Sequence, residues 1–285
     1  MTGNMENLSD WIGRGETTEG LASAKSSDIL NATLDRDDAP FQPGDALPPA
    51  WHWMFFPEVV KLSDTGPDGH LAKGGFMPPV PLPRRMWAGT KMTFHQPLRA
   101  GEKITRVSTV GDVTTKDGSS GALCFVTVRH EISGPNGLAT TDEHLTVYRA
   151  ASEPGAPAPK PQPVPQNPDW SRPIHPTPVM LFRFSALTNN SHRIHYDRSY
   201  VTEIEGYPGL LVHGNLTATL LLDLFRREMP DATLKTFNLR AISPLYDIND
   251  FSVSGRIGDD GASGTLWAAN HEGALAQQAE ITFEA

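Results

Sequence analysis

The stretch Gly214-Asn-Leu-Thr-Ala-Thr-Leu-Leu-Leu-Asp-Leu-Phe-Arg-Arg-Glu-Met229 decides the architecture, because its apolar residues are not confined to one face. Leu216, Leu220, Leu221, Leu224 and Phe225 recur at three- and four-residue spacing, and Thr217 to Leu222 is apolar nearly all round. Pro230 stops the run. The pattern predicts a helix from about Gly214 to Met229 that other elements must wrap.

Downstream of that helix the period changes to two. Phe251, Val253 and Ile257 alternate with Ser252, Ser254 and Arg256, the pattern of a half-buried strand. Far upstream the same pattern occurs: Cys124, Val126, Val128 and Ile132 share one face, and Thr127, Arg129 and Glu131 the other. Asp117-Gly118, Pro135-Asn-Gly137 and Asp260-Gly261 supply the positive-φ residues that hairpins need. Each half is therefore predicted to close with a meander of about four antiparallel strands.

The halves also match in detail. Asp117-Gly-Ser-Ser-Gly-Ala-Leu123 corresponds to Asp260-Gly-Ala-Ser-Gly-Thr-Leu266, and Leu138-Ala-Thr-Thr-Asp-Glu-His-Leu-Thr-Val-Tyr148 to Leu275-Ala-Gln-Gln-Ala-Glu-Ile-Thr-Phe283. Pro97-Leu98 and Pro244-Leu245 stand in corresponding places upstream. Hairpins share turn residues by chance, but three matches in the same order favour duplication. Between the copies, Ser152 to Pro168 is rich in Pro with Ala, Gln and Lys, the composition of a semi-rigid linker. We expect an N-terminal unit over 1–150, a linker over 151–170 and a C-terminal unit over 171–285. In the first unit Trp51-His-Trp-Met-Phe-Phe56 is the apolar counterpart of the wrapped helix, though Pro57 interrupts it. A buried helix followed by a curling antiparallel sheet, twice over, predicts an α+β double hotdog.

Composition narrows the function. The 285 residues include 24 basic and 33 acidic side chains, a net charge of −9. No run of Lys or Arg exceeds two, which excludes a nucleic-acid footprint. The single Cys124 cannot form an internal disulfide and fits a reducing compartment. Met1 to Arg14 is polar, and no segment reaches the ~18 apolar residues of a membrane span. These features lead us to expect a cytoplasmic protein with no membrane contact. There is no Gly-x-Gly-x-x-Gly fingerprint, so no redox cofactor is expected.

Chemistry concentrates in Phe184-Ser-Ala-Leu-Thr-Asn-Asn-Ser-His-Arg-Ile-His195-Tyr-Asp197, followed by His213-Gly214 at the mouth of the apolar helix. A dozen residues hold several proton-handling side chains, and the helix start offers free N–H groups to a developing negative charge. Together they suit acid/base chemistry on a carbonyl compound. Taken alone, a histidine beside an apolar helix is more often a hydrogen-bonded filler, and that reading applies first to His213. His192 and His195 could share a helical face, with His175 and His213 completing a set, yet no recognised zinc pattern emerges. We expect no metal.

This stretch resembles the MaoC-like (R)-specific enoyl-CoA hydratases and 3-hydroxyacyl thioester dehydratases, whose motif reads roughly Gly-Asp-x-Asn-Pro-x-His-x-Asp. Asn189-Asn-Ser-His-Arg-Ile-His-Tyr-Asp197 occupies that frame, with Phe184-Ser-Ala-Leu-Thr188 before it and Gly209-Leu-Leu-Val-His-Gly214 after. The closing His and Asp match. Asn190 stands where the family has an Asp, and His192-Arg193 where it has Asn-Pro. This variant is similar to the subgroup of mesaconyl- and itaconyl-CoA hydratases and to mitochondrial type 2 dehydratases. The resemblance makes the first half a degenerate hotdog and the CoA thioester the substrate, and it implies His195 as acid/base. In the same reading Asn190 orients water, the Gly214 N–H polarises the thioester oxygen, and His192 carries a second proton or braces the loop. An oxyanion donor of this kind is worth ~3–4 kcal/mol.

Asp197 is expected to pair with Arg193, Arg198 or a backbone donor, and Tyr196 to pack. Arg84-Arg85, following the Pro-rich 77–83, suit a phosphate or carboxylate, or else are solvated strand-edge charges. Arg183, Arg193 and Arg240 are further candidates for a substrate carboxylate, and His213 is a candidate substrate contact. The expected activity is reversible hydration of an enoyl-CoA, of a branched C5 dicarboxylic kind such as mesaconyl- or itaconyl-CoA, giving a citramalyl-CoA type product. The rivals are a 3-hydroxyacyl-ACP or -CoA dehydratase of fatty acid metabolism, a hotdog thioesterase, and a non-catalytic acyl-thioester binding protein. One chain can supply the pairing that single hotdogs obtain by dimerising, and a homo-oligomer is compatible with the sequence.

Overall fold

Alternating segments become strands of one sheet, and the wrapped helix lies against it. The computed structural model describes residues 7–70, 75–118, 121–150 and 160–284. The strands of the first half are β1 (Gly15–Leu21), β2 (Arg84–Phe94), β3 (Lys103–Gly118), β4 (Gly121–Gly134) and β5 (Gly137–Arg149). Those of the second are β6 (Trp170–Ile174), β7 (Thr233–Ala241), β8 (Phe251–Ile257), β9 (Ser263–Ala269) and β10 (Leu275–Glu284). Every neighbouring pair is antiparallel, and the order is β1-β3-β4-β5-β2-β7-β10-β9-β8-β6. Read inward from either edge, the same order of first, third, fourth, fifth and second strand appears twice. The two matched turns are the β3–β4 and β8–β9 hairpins, and the two matched Leu segments lie in β5 and β10. Positions 119–120 at the tip of the first of these turns, 151–159 of the expected linker, and 1–6 lie outside the described residues.

The meanders have three strands each, not about four. β2 passes over β3 to pair with β5, and β7 pairs with β10. The reason lies at the centre of the sheet, where Gly89 to Thr93 of β2 pair with Arg240 to Thr236 of β7. The second strand of each half must stand at the inner boundary to form this seam.

The expected helix is α3 (Gly214–Glu228), and Leu216, Leu220, Leu221 and Leu224 are at most 1% exposed. It packs on β8 and β9. A helix apolar all round is stable only when covered on all sides, as here. Among the described residues the first half has no matching helix: Trp51–Met54 is a four-residue 3-10 turn, entered through Ala50 at φ 66. Its anchor is polar. The Trp53 indole donates to Asp142 of β5 at 2.8 Å, His52 Nε2 lies 3.1 Å from the same carboxylate, and the Thr90 hydroxyl of β2 donates to it. Two further helices, α1 (Ala24–Thr33) and α2 (Pro178–Thr188), pack together across the halves. Ser23 and Thr177 cap them by accepting from the N–H groups of Ser26 and Met180. One continuous apolar core includes residues of both halves.

Candidate active site

The motif loop begins where α2 ends. Asn189 at φ 51 turns the chain out of the helix, and Asn190 Oδ1 accepts from the His192 N–H at 3.0 Å to form an Asx turn. The short 3-10 turn Arg193–His195 then carries His195 inward. His195 Nδ1–H donates to the Leu211 carbonyl at 2.8 Å, which fixes the tautomer and leaves the Nε2 lone pair free. Nε2 has no partner among the described residues and keeps contact with solvent, although the residue is 7% exposed. Burial pushes this imidazole down to about 4, so it is a neutral base at pH 7.

Beside it stands the tip of α3. His213 is its N-cap, and its ring stacks on that of His195 with centroids 3.7 Å apart. His213 Nε2 lies 2.7 Å from Ser185 Oγ of α2, and burial holds the ring well below the usual histidine range. The first helical bond runs from the Thr217 N–H to the His213 carbonyl at 3.0 Å, so the N–H groups of Gly214, Asn215 and Leu216 have no acceptor inside the helix. A Cβ on Gly214 would lie 2.5 Å from Trp87 Cε3, so only glycine lets the β2 indole close over this end. Gln277 Nε2 donates to the Gly214 carbonyl at 3.0 Å. Gln277 Oε1, Trp87 Nε1 and His213 Nδ1 are buried without hydrogen-bond partners among the described residues. Unpaired polar atoms converging on a helix N-terminus are suited to a polar ligand group.

A strap from the first half, residues 58–70, lies across the motif loop. Asn189 Nδ2 donates to the Glu58 carbonyl at 2.8 Å, Ser191 Oγ to the Gly69 carbonyl at 2.6 Å, and the Arg193 N–H to the Asp68 carbonyl at 2.9 Å. Gly69, at φ +85, has no room for a Cβ against the Ser191 carbonyl. The strap brings His70 to His192, ring centroids 3.8 Å apart, and His192 stands edge-on to His195 at 5.6 Å. Asp68 accepts from the His70 N–H at 3.0 Å and faces His70 Nδ1 at 3.1 Å, bonds that hold its carboxyl well below the usual range. Burial, with the nearby His70 and His195, pushes His192 down to about 2.

Asp68, His70 and His192 place one ligand-type atom each within 4.8 Å of one another. Both Asp68 oxygens are engaged by His70, and the rings of His70 and His192 are tilted 38° to each other. His175, a candidate ligand in the sequence, pairs instead with Asp250 and is exposed.

The residues singled out from sequence thus meet in part. His192, His195, His213 and Gly214 share one site. Asn190 is at its edge, with Oδ1 committed to the loop and Nδ2 left as a donor. Arg84 pairs only with β5, since the seam to β7 begins at Gly89, but its charge is not free: Nη1 donates to Tyr207 at 2.9 Å and faces Glu205 at 3.5 Å. Arg193 is bonded twice to Asp197, at 3.0 and 2.8 Å, and Asp197 also accepts from the Tyr200 N–H. Arg183 donates to Thr33, and Arg240 is exposed on β7. Tyr196 does not pack; it is 46% exposed and donates to the Ser191 carbonyl. Arg85 is half-buried, has no acidic partner among the described residues, and its charge acts on both His70 and His192. Sequence reasoning passed over Asp68, His70, Trp87 as cover of Gly214, and Ser185. Pro67-Asp68-Gly69 announces a turn, but nothing local announces that it docks 122 residues away.

A neutral imidazole with a fixed tautomer beside the N-terminus of a sheet-wrapped helix is the arrangement a hotdog-fold hydro-lyase requires. The comparisons agree. The profile of hydroxyacyl-thioester dehydratase type 2 matches residues 50–247. The mesaconyl-C(4)-CoA hydratase of Chloroflexus aurantiacus is 42% identical over 274 residues, 95% of this chain and 96% of that protein. The mitochondrial hydroxyacyl-thioester dehydratase type 2 of Schizosaccharomyces pombe is 28% identical over 70% of this chain and 75% of its own. The crystal structure of a MaoC-like dehydratase from Phytophthora capsici superposes with a TM-score of 0.72 at 15% identity, over 97% of both chains. The chain belongs to the hydroxyacyl-thioester dehydratase type 2 family, and its fold is the α+β double hotdog.

Proposed function

We propose that this enzyme adds water reversibly to the double bond of mesaconyl-C4-CoA or a closely similar branched C5 dicarboxylic enoyl-CoA. The observation that carries the reading is the His195 imidazole, neutral and with Nε2 open, stacked on the residue that caps α3. The relative 42% identical over 95% of the chain supports the acyl group.

The chemistry follows from the geometry. A water beside His195 gives a proton to Nε2 as its oxygen bonds the β-carbon, and the displaced π electrons pass to the thioester oxygen. The N–H groups at the α3 tip hold that oxygen as enolate charge grows. Nε2–H then returns the proton to the α-carbon, the carbonyl re-forms, and His195 is neutral again. Asn190 Nδ2 can donate to the water oxygen, which orients it without taking a proton. The Leu211 carbonyl keeps the imidazole in one orientation through both transfers.

Loss of enoyl-thioester absorbance on adding the protein to mesaconyl-C4-CoA tests the proposal. The expected result is hydration faster for mesaconyl-C4-CoA than for crotonyl-CoA. Preference for crotonyl-CoA assigns the enzyme to aliphatic acyl chains, and turnover of neither overturns the reading.

A further inference from the structure

Water addition to mesaconyl-C4-CoA takes place at the carbon that bears both the methyl group and the free carboxylate. A group that recognises this carboxylate therefore has to lie beside the base itself. We propose that Arg85 forms an anion subsite that holds the free carboxylate of the acyl group on the His192 side of His195, an assignment that rests on the hydratase reading above.

The choice of arginine follows from the partners of the others. Arg84, Arg193 and Arg198 are each engaged by an acidic side chain: Glu205, Asp197 and Asp247 respectively. Arg85 projects from β2 at the register position of Tyr148, whose phenol it reaches, and no ion pair among the described residues involves it. Arg85 stands two residues before Trp87, so its side chain leaves β2 on the same face as the indole against Gly214, and its charge acts on His70 and His192. Asp68 faces Nδ1 of His70 at 3.1 Å and so orients that ring, which lies against His192 with centroids 3.8 Å apart, and His192 stands 5.6 Å from His195. A guanidinium fork matches the two oxygens of a carboxylate. An acyl chain lacking that group would leave the Arg85 guanidinium without a counter-ion in the occupied site, which selects against it.

The subsite also fixes orientation. With the carboxylate on Arg85 and the thioester oxygen at the α3 tip, the β-carbon is held between them, on the His195 side. The two grips are not local in sequence: Arg85 comes from the first half, and the base and helix from the second.

The test compares kcat/KM for mesaconyl-C4-CoA and crotonyl-CoA in the wild type, Arg85→Met and Arg85→Gln, with thermal unfolding of each protein as a folding control. In either variant we expect the ratio of the two values to fall by ~30-fold or more, mainly through KM for the dicarboxylic substrate. A ratio within ~3-fold of the wild type in both variants overturns the subsite, whether the separate rates hold or fall together, because a grip on CoA or a structural role affects both substrates alike. Wild-type indifference between the substrates overturns it as well. Hydration of neither substrate by the wild type removes the hydratase reading, and the subsite with it.

Discussion

His195 is kept neutral by its surroundings. Burial lowers it to about 4, and its neighbours His192 and His213 are lowered too, so the stack carries no proton to spare at pH 7. A base with an ordinary imidazole pKa near 6.5 would lose activity as pH falls through that value. Here the base form persists to lower pH, and kcat/KM should stay level from pH 8 to about 5.5 and fall only toward about 4. An acid limb near 6.5 in the pH profile would assign the base elsewhere. His195→Ala should lower kcat by ~100-fold or more with a smaller change in KM, read by steady-state kinetics. Its place beside the α3 tip was legible from its motif frame. Its tautomer was not, because the deciding acceptor is the carbonyl of Leu211, sixteen residues further on.

At the scale of elements, α3 is core along its length and offers free N–H groups at its tip, and its first residue joins the two features. Alanine is the better helix former, so Gly214→Ala would stabilise an isolated helix by ~1 kcal/mol. In this site its Cβ would stand 2.5 Å from Trp87 Cε3 and force the indole off the helix tip. The expected outcome is a drop in kcat/KM of ~10-fold or more, with the unfolding midpoint little changed; undiminished kcat/KM would show that Trp87 need not close over this end. The helix itself was readable, since leucines on every side leave burial as the only stable arrangement. Its first-half counterpart was less so. Trp51 to Phe56 is equally apolar, but Pro57 and the buried carboxylate of Asp142 settle it as a 3-10 turn, and Asp142 is 90 residues away from His52.

The whole molecule is held together by the β2–β7 seam and by one buried carboxylate. Asp223 of α3, 4% exposed, accepts from Arg36 at 3.0 Å, Arg172 at 3.1 Å and Arg227 at 2.7 Å, which join the end of α1, β6 and α3. Asp223→Ala leaves several partly buried guanidiniums without their acid and should cost about 2–3 kcal/mol, measured as the urea midpoint. A loss below about 0.5 kcal/mol would make the cluster a solvated surface feature. Acid stability also belongs to this scale. His192, His195 and His213 have folded values below the unfolded one, so the unfolded chain binds more protons as pH drops below about 6.5. Stability present above that pH is lost progressively toward pH 4, and the thermal midpoint should be clearly lower at pH 5 than at pH 7.5.

Periodicity and duplication determined, from sequence alone, that one apolar helix is wrapped by antiparallel strands and that the chain repeats the pattern. Both are local properties: side-chain spacing sets which faces are buried, and turn residues set where strands reverse. The motif frame likewise determined which histidine stands at the helix mouth. Only the tertiary structure decided that β2 forms the seam, that the strap bearing Asp68 and His70 crosses the motif loop, and that Arg84 is engaged while Arg85 has no acidic partner among the described residues. These depend on hydrogen bonds and ion pairs between residues more than a hundred positions apart, for which local spacing carries no signal.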